Sequence, residues 1–377
     1  MLGPIVAIAV LAIGALWYLA RPPSSSDVIL VAAAGPMTGP YAAFGEQMRR
    51  GAEMAIDDVN ATGGVLGRKM ALAGGDDACD PKQAVAVAND LAAKGVAFVV
   101  GHFCSDASIP ASAVYAEEGI IQITPASTSP ALTDEAAAKG WTNVFRTCGR
   151  DDAQGAMAGR YLAARYKGRN VAIVHDETPY GRGLAVQAKK TMNAAGLKEV
   201  LYETYSSGAR DFTALISRMR AARLDAVYVG GYYTDVGFMV RQAREQGVRA
   251  RLVSGDSLLT EAFWGITGLA GEGTLLTFPP DPRRFESAKE VLSGFKARNF
   301  DPAGYTLYAY AAVQVWVAAA AAAGTAEGAK VAQQLRGHTY PTVIGDLTFD
   351  QKGDVRDPSY AWYVLENGKY VEMPADR

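Results

Sequence analysis

The chain has 377 residues, enough for two domains with a sizeable core each. Its 49% hydrophobic and 20% charged content is that of an ordinary globular protein. A formal net charge of −2 gives no general case for nucleic acid or an anionic membrane as a partner.

The N-terminus differs from the rest. Leu2–Ala20 carries no formally charged side chain and is closed by Arg21-Pro22-Pro23-Ser24-Ser25-Ser26. As a helix it would rise roughly 28 Å, close to a bilayer core. It lacks a Lys/Arg start, Tyr18-Leu19-Ala20 is a poor cleavage site, and no cysteine offers lipid attachment. Export signal and uncleaved anchor both remain open, and either takes residues 1–26 out of the fold.

From Val28 onward, apolar runs alternate with helical patterns. Strands are expected at Val28–Ala34, Lys69–Ala73, Val96–Gly101, Ile120–Thr124 and Val144–Arg146. A second series follows at Asn170–His175, Glu199–Glu203, Ala226–Gly230, Arg251–Val253 and Thr274–Phe278. Between them, Gly45–Asn60 places Met48, Ala52, Ala55, Ile56 and Val59 on one helical face. Asp80-Pro81 starts the next helix and Gly95 stops it. Asp211–Ala222 and Asp235–Gln246 repeat the pattern. Gly63-Gly64 and Gly74-Gly75 read as connections. In the tail, Tyr305–Ala323 and Gly328–Leu335 read as helices, Gly345–Phe349 and Tyr360–Glu366 as strands.

Two consecutive β-α series imply an α/β fold of two lobes, each a parallel sheet flanked by helices. The tail is too small to form its own core, so it is expected to complete both lobes and leave a hinged cleft. The expected division is 27–147 with 280–356 for one lobe and 148–279 with 357–377 for the other.

The strands of both series end in short polar loops: His102-Phe103-Cys104-Ser105, Thr124-Pro125-Ala126-Ser127-Thr128, His175 to Tyr180, Gly231-Tyr232-Tyr233 and Ser254-Gly255-Asp256. Open parallel sheets bind ligands beyond the carboxyl ends of their strands. Hydroxyls, a carboxylate and aromatics gathered there read as one small-molecule site shared by two halves. Ser105, His102 or His175, and Asp176 include the residue types of nucleophilic catalysis, but no G-x-S-x-G elbow surrounds Ser105. Neither a phosphate-binding glycine fingerprint nor a paired C-x-x-C is present, so neither cofactor nor metal is expected. Cys79 and Cys104 follow strand ends in consecutive β-α-β units, so their Cα atoms can come close. A bridge would close a loop of about 26 residues and stabilise by roughly 3 kcal/mol. Cys148 would then be a free thiol.

The run Asp76-Asp77-Ala78-Cys79-Asp80-Pro81-Lys82-Gln83-Ala84-Val85-Ala86-Val87-Ala88-Asn89 closely resembles the corresponding stretch of the bacterial leucine/isoleucine/valine-binding proteins. Gly101-His102, Cys104-Ser105, Ile123-Thr124-Pro125-Ala126, Ile173-Val174-His175-Asp176, Gly230-Gly231-Tyr232 and Lys352-Gly353-Asp354 extend the resemblance over roughly residues 27–365. It implies two α/β lobes joined by three crossovers, closing on a branched-chain amino acid for delivery to an ABC permease in the inner membrane. It also implies a Cys79–Cys104 disulfide, a periplasmic monomer and no enzymatic activity. The family's ligand positions fall on Ser105, Ala126 and Thr128 in the first lobe, and on Tyr180, Tyr232 and Asp256 in the second. Phe44 stands where the family has a binding tyrosine, and Asp256 where it has a glutamate.

The residues can perform these roles, though each has a plainer one. Ser105, near a helix start, can hold a carboxylate or merely cap the helix. Thr128 offers a hydroxyl to a ligand or to a turn. Ala126 can offer only its backbone. Asp256 can pair with an ammonium or sit in a solvated turn. Tyr180, Tyr232 and Phe44 supply apolar walls. The expected function is capture of an aliphatic amino acid. The alternative is a ligand-sensing domain, or an amide or aromatic-acid binder on the same scaffold.

Overall fold

The computed structural model describes residues 28–374. The expected signal or anchor lies outside the described residues.

The first series folds into a five-stranded sheet. Its strands are β1 (Val28–Gly35), β2 (Lys69–Asp76), β3 (Phe98–Gly101), β4 (Ile121–Thr124) and β5 (Val144–Arg146), in the order β2-β1-β3-β4-β5, all parallel. The second series gives β6 (Val171–His175), β7 (Leu201–Thr204), β8 (Ala226–Gly230), β9 (Arg251–Ser254) and β10 (Leu275–Phe278), in the order β7-β6-β8-β9-β10. The two orders are the same once each series is counted from its own first strand. Residue identity between the halves is low, so the duplication shows in topology. In both sheets the order reverses between the first and third strands, which opens a crevice beyond the strand ends.

Helices cover both faces, so most strands are buried on both sides and read as continuous apolar runs. The helices α1 (Ala42–Ala61), α2 (Pro81–Ala93), α3 (Ser105–Glu117) and α4 (Pro130–Ala138) belong to the first sheet. The second carries α5 (Asp151–Arg165), α6 (Pro179–Ala194), α7 (Thr213–Ala221), α8 (Tyr233–Glu245) and α9 (Glu261–Thr267). Asp80 caps α2 by accepting from the backbone N–H of Lys82 and Gln83, with Pro81 at the first helical position.

The tail divides between the sheets. α10 (Lys289–Ala297), α11 (Thr306–Ala323) and α12 (Gly328–Gly337) return to the first sheet, where α11 packs along α1 and Trp316 stacks on Phe98 at 5.3 Å. α11 is long and apolar enough to cross a membrane, but it is largely buried inside the protein. The expected strand at Gly345–Phe349 forms part of a hairpin, β11 (Thr339–Thr342) with β12 (Gly345–Thr348). β13 (Ala361–Glu366) and β14 (Lys369–Glu372) join the second sheet antiparallel, so that sheet is mixed at one edge. The chain passes between the sheets after β5, after β10 and after β12.

Two glycines mark where the backbone is crowded near the site. A Cβ on Gly101, at φ +151°, would meet the carbonyl of Ala34 at 2.2 Å. Gly230 and Gly181 approach so closely that a Cβ on Gly230 would lie 2.0 Å from the Gly181 carbonyl. Cys79 and Cys104 are disulfide-bonded with Cα atoms 5.5 Å apart, and Cys148 is a buried free thiol.

Candidate functional site

The first rim is built from the loops after β3 and β4. His102 is buried, its Nδ1 2.5 Å from Asp77 Oδ2 and its Nε2 2.9 Å from the Tyr115 hydroxyl. Its carbonyl accepts from Thr124 Oγ1 at 2.6 Å and Ser127 Oγ at 3.1 Å, which ties the two loops together. The disulfide anchors Cys104 immediately before Ser105. Ser105 is the first residue of α3, and its hydroxyl accepts from the Ser129 N–H at 3.2 Å instead of capping the helix. Arg146 donates to the carbonyls of Ser127 at 2.7 Å and Ser129 at 3.1 Å, and pairs through Nε with Asp354 at 2.7 Å. This frame holds Ala126, whose N–H donates to Thr124 Oγ1, and Thr128, whose buried hydroxyl has no protein partner. Phe44 stacks on Phe103 at 4.4 Å to form the apolar part of the rim.

The second rim comes from the loops after β6, β8 and β9. Thr178 caps α6 by accepting from the Gly181 N–H, which fixes Tyr180 in the first turn. Asp256 opens a short 3-10 turn and is only 3% exposed, so it is not a solvated-turn residue. Its Oδ1 accepts from the Tyr180 hydroxyl at 2.8 Å, and its Oδ2 accepts from the Tyr305 hydroxyl. Burial pushes the Asp256 carboxyl above the usual range, while the two tyrosine hydroxyls pull it back. Tyr232 lies between Tyr180, with ring centroids 4.9 Å apart, and Tyr41 of the first rim, at 5.0 Å.

The rims meet. The Tyr41 hydroxyl is 3.2 Å from Thr234 Oγ1, the Tyr233 hydroxyl donates to the Pro40 carbonyl, and Ser129 Oγ donates to the Pro179 carbonyl at 3.3 Å. Tyr305, from the returning tail, packs against Phe44 and Phe103 while holding Asp256. The residues expected at the site therefore line two facing rims: Phe44, Ser105, Ala126 and Thr128 on one, Tyr180, Tyr232 and Asp256 on the other.

Acidic groups flank the cleft. Burial pushes Asp106, in the first turn of α3, up to about 6 and Asp176, at the end of β6, up to about 7. The histidines do not assemble with Ser105. His102 is committed to Asp77 and Tyr115, and His175 to the Tyr202 hydroxyl and the Glu177 N–H.

Sequence reasoning missed Tyr305, Phe103, Asp151 and Gln154. Tyr305 sits in an apolar stretch whose aromatic residues carry one signal for core and for site. Asp151 follows Arg150 and precedes Asp152, which looks like an ordinary charged helix start. In the structure Asp151 is fully buried, with its carboxylate beside the Thr128 hydroxyl and facing Gly183 of α6. Burial and the neighbouring Asp256 charge hold its carboxyl well above the usual range, with Thr128 and Arg146 opposing.

The chain matches the family model described as periplasmic binding protein over residues 28–369. It is 47% identical over 341 residues to Leu/Ile/Val-binding protein homolog 1 of Brucella melitensis, covering 90% of this chain and 91% of that protein. It is 42% identical to the leucine-, isoleucine-, valine-, threonine-, and alanine-binding protein of Pseudomonas aeruginosa, covering 90% of each. Among solved structures it resembles a leucine-binding protein from Thermotoga maritima, with a TM-score of 0.83 at 26% identity, covering 92% of this chain and 98% of that one. It also resembles a branched-chain amino acid transporter substrate-binding protein from Streptococcus pneumoniae, solved with isoleucine, with a TM-score of 0.81 at 25% identity over 92% and 100%.

Proposed function

The chain belongs to the periplasmic binding protein family, and from that premise we propose that it captures an aliphatic α-amino acid between its lobes and delivers it to an ABC importer. The observation that carries this reading is the meeting of two rims, one presenting Ser105 and Thr128, the other Asp256 and Tyr180. A zwitterion needs donors at one end and acceptors at the other. Ser105 and the start of α3 suit the carboxylate. The Ala126 carbonyl, Thr128 and Asp256 suit the ammonium. Phe44, Phe103, Tyr180, Tyr232 and Tyr305 give an apolar chamber for the side chain. A relative named for five aliphatic or small amino acids and a neighbour solved with isoleucine support the ligand class.

Closure is driven by differential affinity, because the ligand touches both rims only when they are together. The protein acts as a monomer in the periplasm, exported by residues 1–26 or tethered through them, and presents the closed form to its permease. The hinge divides the chain into 27–147 with 280–356 and 148–279 with 357–377. Isothermal titration with leucine, isoleucine, valine, alanine and phenylacetate tests the ligand. The expected result is a dissociation constant below about 10 μM for at least one amino acid. Silence across all four amino acids overturns the proposal.

A further inference from the structure

The two sheets share one strand order, so each lobe shows what the fold itself requires of the other. At the end away from the cleft, equivalent connections differ in charge. α3 runs into β4 through Glu117-Glu118-Gly119-Ile120. α8 runs into β9 past Arg244, with Arg249 in the connection and Arg251 as the first residue of the strand. A basic last turn is ordinary at a helix C-terminus, and Arg244 fits that rule. Arg249 and Arg251 lie beyond the helix, where the rule does not reach.

Hydrogen bonds draw the three arginines together. Arg244 donates to the carbonyls of Val248 at 2.8 Å and Ala250 at 2.9 Å, the residues just before Arg249 and Arg251. Arg249 donates back to the Arg244 carbonyl at 2.7 Å. Arg251 donates to the Gly273 carbonyl, and a Cβ on Gly273, at φ +75°, would lie 2.6 Å from Arg251 Nη1. All three line one open cavity of about 680 Å³, with Tyr166 on its wall. Among the described residues, every hydrogen bond of these guanidiniums goes to a backbone carbonyl. Two carboxylates on the same cavity are turned elsewhere: Asp225 to Arg169 and the Asn170 N–H, Glu272 to the Asn367 N–H. Glu366 is the remaining acid at the rim. Burial, and then the charges of Arg249 and Arg251, push the Arg244 guanidinium below its ordinary value.

Like charges on one cavity repel, and each guanidinium keeps N–H donors that no carboxylate takes up. An anion with several oxygens relieves the repulsion and accepts those donors, because a guanidinium fork matches phosphate geometry. We propose that this cavity binds a phosphate-bearing anion, with Arg249 and Arg251 as its forks and Arg244 as the fixed charge behind them. Asp225, Arg251 and Gly273 sit at strand starts, so the site lies at the opposite end of the sheet from the amino-acid cleft and does not depend on it. The same chemistry comes free in solution or on a lipid headgroup.

The test uses calorimetric titration with inorganic pyrophosphate and cosedimentation with phosphatidylglycerol vesicles, both at one fixed ionic strength. The proteins are the wild type, an Arg249→Gln/Arg251→Gln double variant, and an Arg165→Gln/Lys167→Gln control. The control removes two charges at the end of α5, on the same pole but outside the cavity lining. The wild type is expected to bind pyrophosphate with a dissociation constant below about 1 mM, or to sediment with the vesicles. The cavity variant should bind at least about tenfold more weakly, and the control should change by less than about threefold. Binding in solution assigns a free phosphate, and binding to vesicles alone assigns the headgroup. Thermal melting without added anion checks the fold of each variant. If the double variant melts early, the single Arg249→Gln carries the test, since Arg249 is exposed and its guanidinium bonds one carbonyl. Equal losses in the cavity variant and the control reduce the effect to general charge and overturn the proposal. Wild-type binding of neither probe, or undiminished binding by the cavity variant, overturns it as well.

Discussion

The rim after β3 and β4 and the rim after β6, β8 and β9 grow from the same strand order, yet they are finished in opposite ways. The first is closed on itself. His102, Ser127 and Arg146 bind its loops together and the disulfide pins its leading edge, so Ser105 and Ala126 are in position before any ligand arrives. The second is built from tyrosines and carboxylates on separate loops, joined through Tyr180, Tyr305 and Asp256. One rim is a frame and the other is a clasp. A frame mutation should therefore be read in stability, and a clasp mutation in affinity.

The largest effect should come from the frame. Arg146→Met leaves Asp354 buried without its Nε partner and frees the Ser127 and Ser129 carbonyls. Arg150 still pairs with Asp354 at 2.7 Å, so the cost comes mainly from the two buried carbonyls that lose the Arg146 donors, about 1–3 kcal/mol each, expected as a lower urea midpoint in the ligand-free protein. An unchanged midpoint would erase the distinction between the rims. Reducing the disulfide should cost roughly 3 kcal/mol by the same measurement. Thiol counting of the oxidised, denatured protein should find the single thiol of Cys148.

On the clasp side, Asp256→Ala removes the acceptor shared by Tyr180 and Tyr305. Binding of amino acids should weaken about 10–100-fold, while ligand-free stability falls less than for Arg146→Met. Ammonium-free analogues of the same ligand should lose little. Equal losses for both ligand types would remove Asp256 from the ammonium end.

The smallest effect concerns pH. Asp106 of the frame and Asp176 of the clasp are buried with the rims together, and burial raises both, to about 6 and about 7. A raised carboxyl binds more protons closed than open, so closure gains as pH falls from about 7 toward 5. His175 is pushed below its ordinary value by burial and opposes the gain at the acid end. Ligand affinity should rise by less than about tenfold between pH 7.5 and 5.5, and Asp176→Asn should flatten the rise. An affinity that falls over this range would reverse the sign.

The two rims were also unequally legible. The frame follows from linear motifs: strand, short polar loop, helix start, with Ser105 and Thr128 at fixed offsets. Local pattern gave the strand-end loops, while the choice of Ser105 and Thr128, and of Tyr180, Tyr232 and Asp256, came from the family resemblance. Tyr305 was not legible, because an aromatic in an apolar helix gives one signal whether it faces core or cleft. Nothing in Arg150-Asp151-Asp152 tells which carboxylate the fold will bury. Gly74 and Gly75 read as a connection but pair with Ala33 and Ala34 inside β2, an edge strand that tolerates them. The antiparallel return of β13 and β14 depends on long-range closure that no local pattern records.

A crystal structure of the protein with bound leucine or alanine tests the central claim most directly. The account predicts one amino acid between the rims, its carboxylate at Ser105 and its ammonium at the Ala126 carbonyl, Thr128 and Asp256. A ligand seated elsewhere, or one whose ammonium points away from Asp256, would contradict it.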